Sequence, residues 1–183
     1  MNEKLHDTLV RWHEDGLMKK YMMMAEDMAQ RWSNCNSRKL GCVIVDSKTN
    51  EVFAEGANHT CNPICWGGRC FKRMMGADEG HSGYCNAVHA EEMAAQYAYD
   101  KQFILDPPIN PEGPLVAVMN CGHPCQACLP ALVDAKVVAL ILKHDRFYTP
   151  EDETIFKLYY ADLFEVYVFA SRIGNDDKKC TPL

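Results

Sequence analysis

The chain has 183 residues, 48% of them hydrophobic, which is long enough for one well-buried core and short for two. Its formal net charge is −6 and its 19 lysines and arginines are scattered, which excludes the basic stripe that grips a long nucleic acid and favours a small-molecule substrate. No apolar run reaches the roughly 18 residues of a membrane span, and the first residues, Met-Asn-Glu-Lys-Leu-His-Asp, lack the apolar stretch of a secretory signal. No membrane partner is expected, and the cytoplasm is the expected location.

In chain order, Leu17, Tyr21, Met24, Met28 and Trp32 recur at spacings of three and four, which predicts an amphipathic helix over 17–33. Leu40 to Val45 and Glu51 to Glu55 are short apolar or β-branched runs joined by Asp46-Ser47-Lys48-Thr49-Asn50, the pattern of a β-hairpin. Residues 56–84 show neither period, and so long a loop in a compact domain is either functional or stapled. Helix formers dominate 86–99. Four prolines make 106–114 a connection. Beyond it the pattern predicts a strand at Leu115–Met119, a helix from Cys125 to Ala135 and a strand at Val137–Leu142. A helix from Glu151 to Tyr160 and a last strand at Phe164–Phe169 complete it. The alternation implies a single α/β domain over 1–171 with a five-stranded mixed sheet covered by helices, then a polar tail at 172–183.

Ten cysteines in a chain read as cytosolic do not suggest a disulfide framework, so metal ligation becomes the leading explanation for some of them. Cys42, inside an apolar run, reads as a small buried hydrophobe, and Cys180, in the polar tail, as an exposed free thiol. Two motifs stand about 35 residues apart: His89-Ala90-Glu91 and Pro124-Cys125-Gln126-Ala127-Cys128. A catalytic zinc takes three nitrogen or sulfur ligands and keeps one position open; Cys125 and Cys128 on a helix start, with His89 on a facing helix, supply such a set. Glu91 is then placed to move protons without ligating the metal, whereas Glu92 lies about a hundred degrees further round the helix. The H-x-E and P-C-x-x-C pair is the signature of the zinc deaminases.

From about Tyr21 to Phe169 the sequence resembles the deoxycytidylate (dCMP) deaminase family of the cytidine deaminase superfamily. The resemblance is carried by Ser37-Arg38-Lys39-Leu40-Gly41-Cys42-Val43-Ile44-Val45, by Gly56-Ala57-Asn58, by the Cys- and His-rich insertion at 58–85, and by Cys85-Asn86-Ala87-Val88-His89-Ala90-Glu91 and Pro124-Cys125-Gln126-Ala127-Cys128. It implies a three-layer αβα fold and hydrolysis of dCMP to dUMP with release of ammonia. It implies a catalytic zinc on His89, Cys125 and Cys128, Glu91 as proton shuttle, the backbone of Ala90 on the pyrimidine carbonyl and Asn58 on the sugar. A second, structural zinc on Cys35, Cys70, Cys85 and His81 is also implied, with Cys61 or Cys65 able to complete the set; such a metal would staple the long loop. A homo-oligomer, dimer or hexamer, is expected from the same resemblance.

The chain departs from the family pattern at Glu92-Met93-Ala94, where members usually carry Gln or Leu and then Asn-Ala, and at Ala57 and His59. Other substrates therefore stay open: modified dCMP, cytidine or guanine. A non-catalytic zinc-binding module is the reading from another class, and the intact Glu91 argues against it. Arg38, Lys39, His59, Arg69 and Lys72 are available to meet a phosphate. His123 either touches substrate or caps a turn, and Phe147 and Tyr148 either stack on a base or belong to the core.

Overall fold

The computed structural model describes residues 3–66, 68–76, 85 and 87–169. The polar tail, Cys180 and His81 lie outside the described residues.

Two helices open the chain, α1 (Glu3–Glu14) and α2 (Leu17–Trp32). The first was not among the expected elements, yet Leu5, Leu9 and Trp12 recur at helical spacing and are buried together. On α2 the buried stripe is Met18, Tyr21, Met22, Ala25 and Ala29, shifted by about one residue from the expected face, so Trp32 is left exposed. Alanines on the inner face bring α2 close to the sheet: a Cβ built at Gly41 would lie 2.0 Å from the Ala25 carbonyl oxygen.

The predicted hairpin forms from β1 (Gly41–Asp46) and β2 (Val52–Ala57). Its turn is held by the Asp46 carboxylate, which accepts backbone N–H bonds from Lys48 and Thr49 and, across the domain, from Glu112 and Gly113. The insertion is less irregular than its sequence suggests: β3 (His59–Thr60) is followed by the short helices α3 (Pro63–Trp66) and α4 (Phe71–Met74), and β4 (Ala87–Val88) returns to pair with β3. Then come α5 (Ala90–Phe103), β5 (Leu115–Met119), α6 (Leu129–Asp134), β6 (Val137–Leu142), α7 (Pro150–Tyr159) and β7 (Glu165–Val168). Thr149 caps α7 by accepting the Asp152 N–H, and Pro150 fills its first position, as helix starts prefer.

The five long strands form one mixed sheet in the order β2-β1-β5-β6-β7. β1 runs antiparallel to β2 and β5, while β5, β6 and β7 are parallel. Both faces are covered, so β1 and β5 are buried at every position, as strands between two helical layers are. One face packs on α1 and α2 and the other on α5 and α6. This is the expected α/β fold.

Candidate active site

Two corrections to the expected local structure set the geometry. His89 is not on a helix: it is the extended residue that precedes α5, at φ −79° and ψ 156°. Cys125 is likewise not in a helix but in a turn, and α6 begins only after Cys128; the Cys125 carbonyl accepts the N–H groups of Cys128 and Leu129. Pro124 ahead of the turn and Pro130 in the first turn of the helix account for so late a start. Gly56 lets β2 approach the opposite element, since a Cβ there would lie 2.5 Å from the Ala90 carbonyl oxygen.

These turns bring His89, Cys125 and Cys128 together. The His89 Nδ1 lies 3.3 Å from the Cys125 sulfur and 3.2 Å from that of Cys128, and the sulfurs are 3.5 Å apart. Zinc bonds of about 2.3 Å to sulfur and 2.0–2.1 Å to nitrogen in a tetrahedron place such atoms roughly 3.5–3.8 Å apart. The donor set and spacing therefore fit a zinc ion within a few tenths of an ångström. Among the described residues this is the one group of three such side chains drawn together.

The charges agree. Hydrogen bonding to Cys125 is the largest cause that raises His89 to a pKa of about 9. The bond from Cys128, with the His89 imidazolium, pulls the Cys125 thiol well down, while sharing that bond pushes Cys128 up. The arrangement thus favours the thiolate form at Cys125, the form that ligates a cation, and a dication would displace the remaining protons.

Glu91 is buried beside this group. Burial raises its pKa and the nearby His89 opposes that. Its Oε1 accepts a bond from the Cys121 thiol, and its Oε2 has no partner. Glu92 is exposed and accepts the His89 backbone N–H at 3.4 Å, capping the start of α5. A carboxylate here therefore has a local structural task, whatever its relation to substrate.

A cavity of about 390 Å³ opens over the group, lined by His89, Cys125, Asn58, Tyr148, Arg38 and Lys72 among others. Asn58 is tightly held: its Oδ1 accepts from Ser33 and the Leu40 N–H, and its Nδ2 donates to the Arg38 carbonyl. Ala90, Glu91 and Cys128 are buried and do not line the cavity.

Of the expected phosphate partners, Arg38 and Lys72 line the cavity. Lys39 instead donates to the Gln30 carbonyl, His59 bonds Asn34, and Arg69 is not among the lining residues. Arg73, Thr149 and Asp152 also line the cavity; nothing in their sequence context distinguished them. Tyr148 is on the wall, whereas Phe147 is stacked on His123, with ring centroids 3.8 Å apart, and touches Phe156. His123 is buried away from the cavity, with its Nε2 bonded to Asp145. Cys35, Cys70 and Cys85 all line the cavity but do not form a ready ligand cluster. Cys61 is exposed and Cys65 half-buried, while Cys42 is fully buried in the core as expected.

Residues 16–143 match the family described as the cytidine and deoxycytidylate deaminase zinc-binding region, and the chain belongs to that family. The fold is shared with the dCMP deaminase of cyanophage S-TIM5 in complex with dCMP and dUMP, at 19% identity and a TM-score of 0.57 over 84% of this chain and 97% of that one. The apo form of the same enzyme aligns at 17% identity and a TM-score of 0.51, over 84% and 98% of the two chains. A Thermotoga maritima diaminohydroxyphosphoribosylaminopyrimidine deaminase/5-amino-6-(5-phosphoribosylamino)uracil reductase aligns at 16% identity and a TM-score of 0.53, over 85% of this chain and 37% of that one. No curated protein matches by sequence. Among the described residues, no helix is long and apolar enough to cross a membrane.

Proposed function

We propose that the chain hydrolyses the exocyclic amine of a cytosine nucleotide, converting dCMP to dUMP with release of ammonia. The observation that carries this is the buried Glu91 carboxylate, one oxygen unpartnered, beside the His89–Cys125–Cys128 group. When bound there, zinc supplies the Lewis acidity that makes water nucleophilic near neutral pH. Glu91 takes the proton that water gives up as it adds to the amine-bearing carbon, then delivers protons to the ring nitrogen and the departing amine. His89, Cys125 and Cys128 hold the metal. Asn58 is fixed by three hydrogen bonds and presents a preorganised amide toward the sugar, and the Ala90 N–H serves the pyrimidine carbonyl.

The phosphorylated substrate is supported by Arg38, Lys72 and Arg73 on the cavity wall, where a phosphate gains charge-assisted bonds. Tyr148 supplies an aromatic face on the same wall. Cys35, Cys70 and Cys85, with His81, hold a second, structural zinc in this reading, and a homo-oligomer in a reducing cytoplasm suits a chain so rich in thiols. Metal analysis returning one zinc per chain rules the second site out, and light scattering of a monomer rules out the dimer or hexamer.

The decisive experiment is an ammonia-release screen over cytosine, cytidine, deoxycytidine, their monophosphates and guanine. dCMP is expected to give the highest kcat/KM. A preference for unphosphorylated compounds overturns the choice of substrate and leaves the hydrolytic chemistry standing.

A further inference from the structure

Glu91 is held by a contact that lies outside both motifs. Cys121, two residues past the end of β5, donates its thiol hydrogen to Glu91 Oε1 at 3.6 Å. The Cys121 side chain is itself confined: it is buried, with the Tyr148 hydroxyl close enough to influence its thiol. Its backbone is tied to the end of β6, because its carbonyl accepts the Lys143 N–H at 2.9 Å. A thiol has one hydrogen to give, and a carboxylate has two oxygens to receive. Engaging Oε1 restricts how the carboxylate can turn, together with the Glu91 backbone N–H, and leaves the other oxygen, Oε2, buried and unpartnered.

We propose that Cys121 is a positioning residue whose thiol orients the Glu91 carboxylate so that Oε2 is the oxygen that exchanges protons with water and base. This rests on Glu91 being the proton carrier, as proposed above, and adds what orients it. Cys42 is the internal comparison: it is as deeply buried in the same apolar cluster but makes no hydrogen bond to Glu91.

The test compares kcat, KM and zinc per chain, with dCMP or the best base from the ammonia screen. The variants are Cys121→Ala, Cys121→Ser, Cys42→Ala and Glu91→Gln. A weak donor lost from a charged acceptor is expected to lower kcat on the order of tenfold in Cys121→Ala. KM should stay within about twofold at unchanged zinc content, because the contact orients the carboxylate without touching substrate. Cys121→Ser keeps a donor and is expected to recover most of that loss, while Cys42→Ala keeps kcat near wild type. Wild-type kcat in Cys121→Ala overturns the proposal, and so does a loss that follows zinc release, is matched by Cys42→Ala or is not relieved by serine. Full activity in Glu91→Gln instead overturns the underlying mechanism, so the two failures are distinguishable.

Discussion

On one face of the sheet Val43, Val45, Val116, Val118 and Ile141 meet the large side chains of Trp12, Met18, Tyr21 and Met22 from α1 and α2. On the other, Cys42, Ile44, Ala117, Met119 and Leu140 meet a helix whose inner surface is Ala90, Ala94, Ala95 and Ala98. The first face fills its space with bulk, and among the described residues its cluster is built of apolar and aromatic side chains. The second brings backbones close with small residues, and the buried Glu91 and the metal-binding turns sit at its end. Stability and chemistry are thus divided between the two sides of one sheet, and each strand serves both through alternate residues.

Four substitutions test that division, in falling order of expected effect. Glu91→Gln should keep the fold and its zinc yet lower kcat by about four orders of magnitude, close to 5 kcal/mol of barrier; steady-state kinetics on zinc-loaded protein decide it. Trp12→Ala, on the opposite face, should cost about 3–5 kcal/mol of stability and leave kcat of the folded fraction near wild type. A kinetic loss there equal to that of Glu91→Gln would erase the distinction between the faces.

Asp46 sits on neither side's chemistry but joins the hairpin turn to the segment before β5. Burial pushes its carboxyl up, and the N–H groups of Lys48, Glu112, Thr49 and Gly113 outweigh this, so its pKa lies below the ordinary 3.8. Its ionised form therefore stabilises the fold at neutral pH, and that contribution disappears as pH falls through the depressed folded value. Urea midpoints should show Asp46→Asn weaker by about 1–3 kcal/mol at pH 7, with the gap to wild type closing as pH drops below 3.8. The exposed Lys143–Glu26 pair, 2.7 Å apart, is expected to contribute at most about 1 kcal/mol; Lys143→Met should barely move the melting temperature.

Much of this was legible in the residues. The five strands of the main sheet follow from short apolar runs, and the metal group from two motifs whose donor types belong to zinc. What escaped was set by non-local contact. The inward spacing of Leu5, Leu9 and Trp12 was present in the sequence, but the charges around it hid α1. The pairing of His59 with Val88 joins residues far apart in a stretch without periodicity. Nothing local distinguishes Phe147, stacked under His123, from Tyr148, its neighbour on the cavity wall. Cys121 looked like any thiol at a strand end, and only the return of α5 across the sheet places it against Glu91.

The two-residue ribbon of β3 and β4 has its own consequence. Thr60 pairs with Ala87, two residues before His89, so the ribbon is a seam that fixes the chain just ahead of the metal group. The cost of closing a loop rises only slowly with its length, so the ribbon tolerates excursions of different length ahead of His89. Between its two strands the chain lends Cys70, Lys72, Arg73 and Cys85 to the cavity wall. A grafted segment of different length, closed at the same seam, would retune what the cavity admits while His89 keeps its place.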